Sequence, residues 1–139
     1  MARSILVDAN VLLDILTADP VWLDWSSSAL RMAHAAGSVI VNPIVCAEIA
    51  PVFDFDWEKL DHWLSPSFFV REDLPFEASV VAASSHAIYR KRGGARHSPL
   101  PDFYIGAHAQ ARGHELLTRD ASRYRTYFPG ISLIVPPPF

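Results

Sequence analysis

The chain has 139 residues, half of them hydrophobic and 19% charged, with a net charge of −3, a balance that excludes a disordered polypeptide and supports one domain with a sizeable core. No apolar run approaches the roughly 20 residues of a membrane span, the N-terminus lacks a signal-peptide pattern, and the single cysteine, Cys46, excludes an internal disulfide. A cytoplasmic protein is therefore expected. The acidic residues crowd the first half, whereas all eight basic residues after position 77 lie between Arg90 and Arg125, so a local basic surface is expected on an acidic protein.

Ile5-Leu6-Val7 is a short apolar run without alternation, the pattern of an interior parallel strand. Asp8 stands at its end, and Asn10 is placed to cap a helix whose face is Val11, Leu12, Ile15 and Leu16. Asp19-Pro20 opens a second amphipathic helix carrying Trp22, Trp25, Leu30 and Met32, which ends at Gly37. Val39–Val41 is the second strand, and Asn42-Pro43 starts a helix in which Cys46 is expected to be buried and Glu48 is the only charge. A short helix spans Asp56–Leu64 with Trp57, Leu60, Trp63 and Leu64 on one face. Phe68–Val70 is an edge strand or an extended link.

Pro75 opens a long helix to about Arg92, with Phe76, Val80, Ala83 and Ala87 at helical spacing and Gly93-Gly94 as its stop. Pro101-Asp102 begins another helix, closed by Gly113. Leu116-Leu117 is a strand followed by Thr118-Arg119-Asp120, a short helix covers Ser122–Tyr127, and Ile131–Val135 is the last strand. Alternating strands and helices imply a parallel sheet covered on both faces, with the carboxyl ends of its strands on one edge. The expected fold class is α/β, a three-layer α/β/α sandwich with a central, mostly parallel sheet of four or five strands, in a single domain over residues 1–139.

Four carboxylates occupy unusual places. Asp8 and Asp120 each follow a strand on that edge, Glu48 lies on an apolar helix just after the second strand, and Asp102 starts a helix in an apolar context. Asp8, Asp102 and Asp120 each have a structural explanation as a cap or turn, whereas a lone Glu48 on its apolar helix would cost several kcal/mol of desolvation unless compensated. Together they would repel one another unless a cation sits among them. Oxygen donors without His or Cys suit Mg²⁺ or Mn²⁺, one ion or two, and the chemistry that follows is metal-assisted attack of water on a phosphodiester. The six histidines are scattered, and none shows a two-His ligand spacing with a third partner. Asp14 reads as part of a solvated helix face.

LVDANVLLDIL, NPIVCAEIA and LPDFYIGAHAQARGHELLTRDASRYRTYFPGISLIVP, taken with the strand order, resemble the PIN-domain family, and within it the VapC-type toxins of toxin–antitoxin pairs. The resemblance runs from Ile5 to Pro136. It implies that Asp8, Glu48, Asp102 and Asp120 form an acidic metal site, with Asn10 and Thr118 as supporting polar residues. It further implies an Mg²⁺- or Mn²⁺-dependent endoribonuclease leaving 5′-phosphate and 3′-hydroxyl ends, paired with an antitoxin and commonly homodimeric. Where many relatives carry a further acid, this chain has Ser122, Arg123 and Tyr124.

Arg90, Lys91, Arg92 and Arg96, and less strongly Arg119, are candidates to guide an RNA backbone through phosphate contacts. The rival from another class is a PIN-fold antitoxin-binding or regulatory module with little or no catalysis, against which four intact acidic positions argue. A phosphatase of the haloacid-dehalogenase type would need a second Asp two residues after Asp8, where Asn10 stands.

Overall fold

The computed structural model describes residues 2–95 and 100–138. Five strands, β1 (Arg3–Val7), β2 (Gly37–Val41), β3 (Phe69–Arg71), β4 (Glu115–Leu117) and β5 (Leu133–Ile134), form one sheet in the order β3-β2-β1-β4-β5. Every pairing is parallel. Its seven helices among the described residues are α1 (Ala9–Leu16), α2 (Leu23–Ala36), α3 (Pro43–Ile49), α4 (Trp57–Trp63), α5 (Phe76–Lys91), α6 (Pro101–Arg112) and α7 (Ser122–Tyr127). The sandwich expected from the sequence is present, with the sheet wholly parallel. No helix of the described residues is long and apolar enough to cross a membrane.

β1 is central because Ile5, Leu6 and Val7 can be covered on both sides, and all three are fully buried. β2 and β4 flank it, so the chain reverses direction across the sheet between β2 and β4, on either side of β1. Open parallel sheets bind ligands at the carboxyl end of such a switch point. Asp8 sits there, its backbone N–H bonded to the Leu117 carbonyl. A close approach steadies the adjoining layer: Gly106 of α6 lies so near Phe128 that an added Cβ would be 2.6 Å from the ring. Gly113 ends α6 at φ +69°, a left-handed turn that suits glycine.

Several local expectations are corrected. Asp8, not Asn10, is the N-cap residue of α1, and Asn10 lies within the helix. Asp19 accepts from the amides of Val21 and Trp22, yet α2 begins only at Leu23. Met32 and Trp57 face solvent, and β5 is confined to Leu133–Ile134. The largest reversal is in α5. Phe76, Val80, Ala83 and Ala87 are exposed, while Ala78, Ala82, Ser85 and His86 are buried. The small face is the one that meets α6, where the fully buried Phe103 packs edge-on against His86. Periodicity located the helix but could not choose between two faces that both contain alanine.

Candidate active site

Asp8, Asn10, Glu48, Asp102, Asp120, Ser122, Arg123 and Tyr124 line one cavity of about 400 Å³ at the carboxyl edge of the sheet. The four acidic residues proposed from the sequence thus come from four separate segments into a single concavity. Asp8 ends β1, Glu48 comes from α3, Asp102 from the first turn of α6, and Asp120 follows β4. Asn42 fixes α3 by accepting from the Val45 amide at 2.9 Å, with Pro43 in the first turn. Glu48 faces this open cavity rather than the core. The desolvation cost that its apolar helix suggested is therefore only partly incurred.

Asp8 is buried and surrounded by donors. Thr118 Oγ1 and Tyr124 Oη each donate to Asp8 Oδ2 at 2.9 Å, and Asn10 Nδ2 approaches the same oxygen at 3.4 Å. Thr118 also accepts from Asn10 Nδ2 at 3.2 Å and from the Asp120 amide at 3.2 Å. Asn10 Oδ1 in turn accepts from the Arg119 amide. The small polar residues therefore touch both Asp8 and the backbone that carries Asp120. Tyr124 is a contact the sequence reading did not assign. Its only advance signal was a tyrosine one helical turn after Asp120.

The electrostatics show charge that this side-chain set leaves uncompensated. Burial raises Asp8 above the usual carboxylate range, although the bonds from Tyr124 and Thr118 oppose the rise. Burial also raises Asp102, opposed by Arg123 and reinforced by Asp120. Partial desolvation, with repulsion from Asp8 and Asp102, pushes Glu48 up to about 7. The Glu48 side chain opens onto the cavity, and the repulsion is the part of this shift that an added cation would reverse. Tyr124 is driven well above its ordinary value by burial and by Asp8, so its phenol stays protonated and acts as a donor. An all-oxygen donor set with raised pKa values fits a hard divalent cation.

The basic candidates separate. Arg90, Lys91 and Arg92 are exposed at the end of α5, with Arg90 Nη1 donating to the Ala95 carbonyl and Arg92 lying over the Tyr127 ring. Arg96 lies outside the described residues. Arg119 is committed elsewhere: its Nε donates to Asp14 Oδ2 at 2.8 Å, and its guanidinium covers the Trp22 ring. Asp14 is consequently not on a solvated face. It is 2% exposed and accepts from Ser26 as well as Arg119. Cys46 is half-buried, and burial pushes its thiol up, away from nucleophilic use.

A second polar cluster contradicts the reading of scattered histidines. Glu72 Oε1 lies 2.7 Å from both His108 Nε2 and His114 Nε2. The three ligand atoms are all within 4.8 Å of one another, a spacing that could hold a metal ion. The hydrogen bonds argue for a different state. Asn42 Oδ1 is taken by the Val45 amide, so Nδ2 faces His108 Nδ1 at 2.9 Å and must donate to it. That places the His108 proton on Nε2, where it bonds Glu72. Ser4 Oγ lies 2.7 Å from His114 Nδ1 and holds the second imidazole in place. Burial lowers His108 despite Glu72 and keeps it neutral; Glu72 is itself raised by burial, but the bonds from His114 and His108 hold it below its ordinary value. We expect Glu72→Ala to strand the fully buried His108 N–H and cost about 1–3 kcal/mol. Urea unfolding checks this, and an unchanged midpoint would refute the assignment.

The sequence pattern defining the PIN domain matches residues 5–129. The chain belongs to the PIN-domain family. The PIN domain is also similar in fold to VapBC2 from Rickettsia felis bound to a fragment of promoter DNA, with a TM-score of 0.73, 17% identity and coverage of 96% of this chain and 98% of that chain. A DNA-bound VapBC from Salmonella typhimurium aligns with a TM-score of 0.69 and 16% identity over 97% and 98% of the two chains. FitAcB from Neisseria gonorrhoeae aligns with a TM-score of 0.66 and 19% identity over 94% and 96%. No curated protein matches in sequence. At these identities the structural likeness establishes the fold, and the site must speak for the chemistry.

Proposed function

We propose that this PIN domain is a divalent-metal-dependent endoribonuclease of the VapC type, the toxin of a type II toxin–antitoxin pair. The observation that carries the reading is the convergence of Asp8, Glu48, Asp102 and Asp120 on one cavity, with three of them raised above their ordinary pKa values. These four residues would hold Mg²⁺ or Mn²⁺, as one ion or two. An ion bound there supplies a water activated near neutral pH and neutralises charge on the phosphate.

The chain's own residues do the positioning. Thr118, Tyr124 and Asn10 engage Asp8 Oδ2, so Oδ1 takes none of their three bonds, and the carboxylate plane is fixed before any ligand arrives. Water oxygen attacks phosphorus, and the 3′-oxygen leaves, taking up a proton, to give 5′-phosphate and 3′-hydroxyl ends. The exposed bases Arg90, Lys91 and Arg92 lie at the end of α5, just after Tyr89, which packs on Phe103 of α6, and would attract an RNA backbone. The partner is an antitoxin protein, supported by the toxin–antitoxin complexes among the structural relatives, and a homodimer is the proposed assembly.

The test is direct. Purified protein should take up Mn²⁺ in a calorimeter and cut single-stranded or looped RNA, with ends that ligate as 5′-phosphates, and chelation should stop it. Metal uptake without cleavage of any RNA, or no uptake at all, would leave the partner-binding module as the better account.

A further inference from the structure

Arg123 is the one basic side chain among the described residues that line the acidic cavity. Its attachment there is loose. Nη1 reaches Asp102 Oδ1 at 3.3 Å, whereas Arg3–Glu115 and Arg119–Asp14 close to 2.7 and 2.8 Å. The guanidinium lies over the rings of Tyr89 and Phe103, 5.5 Å from each centroid. Phe103 is fully buried and fixed in the core. Arg123 is thus held in the cavity by its aromatic bed as well as by its carboxylate, and a third of its side chain is open to solvent.

We propose that Arg123 is the phosphate-binding residue of this cavity, released from Asp102 when a divalent cation enters and turned to the phosphodiester of the substrate. The proposal rests on the hydrolase reading above. Arg123 and a divalent ion compete for the same Asp102 carboxylate, and the doubly charged ion with four carboxylates around it prevails. A freed guanidinium still bedded on Tyr89 and Phe103 stays within the cavity. Its planar fork then presents several donors, a geometry that matches phosphate oxygens. The alternative is that Arg123 merely positions Asp102. The two roles have opposite signs: a competitor's removal leaves metal binding as strong or stronger, while a positioner's removal weakens it.

The experiment compares full-length wild type, Arg123→Gln and Arg123→Lys. Calorimetry gives the Mn²⁺ affinity, and fluorescence anisotropy in Ca²⁺ follows binding of a single-stranded oligoribonucleotide, shown intact on a gel, across a salt series. For Arg123→Gln we expect Mn²⁺ affinity equal to or a few-fold above wild type. RNA affinity should fall about tenfold, and the log–log salt slope should become shallower by about 0.7, the contribution of one phosphate contact on a single strand. Arg123→Lys should restore the slope but not the full affinity, because it keeps the charge and loses the fork. Weaker Mn²⁺ binding with an unchanged salt slope overturns the proposal in favour of a positioning role. So does a Gln variant that matches wild type in both measurements. If wild type takes up no Mn²⁺, the hydrolase reading itself has failed; if it takes up Mn²⁺ and RNA normally, only the role of Arg123 is at stake.

Discussion

Asp8→Asn is expected to abolish divalent-metal uptake and RNA cleavage while leaving the fold intact. Asp8 is buried at the end of β1, and its Oδ2 receives Thr118, Tyr124 and Asn10. The amide of asparagine keeps an acceptor oxygen, so the Thr118 and Tyr124 bonds can persist. What is lost is one of the four negative charges that line the cavity. Loss of an outer hydrogen-bond partner of a ligand costs about 10–100-fold in affinity or activity, so removing a charged ligand should exceed that range. Burial raises the Asp8 carboxyl in the absence of metal, so neutralising it should not destabilise the metal-free protein and should modestly stabilise it. The decisive measurement pairs calorimetry with thermal unfolding. A variant that unfolds early and cleaves poorly would show only that Asp8 holds the fold together. A variant as stable as wild type that still cleaves would show that the metal site lies elsewhere.

Much of this site was legible in the sequence because each acid is tied to a local signal. Asp8 follows an unbroken apolar strand, Asp102 follows Pro101 at a helix start, and Asp120 follows Leu116-Leu117. Parallel topology then delivers strand ends to one edge without any knowledge of side-chain contacts. Where the reading failed, the deciding partner was remote in the chain. Nothing near Asp14 announces Arg119, 105 positions away, and nothing near Glu72 announces His108 and His114, which reach it across the sheet. The exposed face of α5 was misread for a related reason. The face carrying Ala78, Ala82 and His86 is inside because α6 docks on α5, with Phe103 meeting His86 edge-on, and nothing within α5 itself announces that partner. Tyr124 belongs to the same class, since a phenol on a short helix becomes a donor to Asp8 only after α7 has docked.

Metal affinity is expected to rise with pH up to about 7 and then level off. Carboxylate ligands must be deprotonated to bind, and Glu48 titrates at about 7 through desolvation and through repulsion from Asp8 and Asp102. Below that value one proton must leave for each ion bound. The apparent affinity should therefore fall close to tenfold per pH unit under acidic conditions. The same shift has a consequence for stability. Glu48 holds its proton more tightly folded than unfolded, so its contribution favours the folded state below its ordinary pKa of 4.5 and is lost as the pH rises through about 7. His108 works in the other direction. Its lowered pKa means that the unfolded chain binds the extra proton, so stability falls as the pH drops below about 6.5. A simple pH scan of the melting temperature mixes the two. Adding Mn²⁺ separates them, because an ion held by the four carboxylates would act on Glu48 and not on the Glu72 cluster, where the His108 Nε2 proton points at Glu72. The rise in melting temperature on adding Mn²⁺ should be larger at pH 8 than at pH 6. In Glu48→Gln that pH dependence should shrink and the affinity should fall, whereas Glu72→Gln should change neither. Equal losses in both variants would mean that the carboxylate holding the ion is not the one at the end of α3.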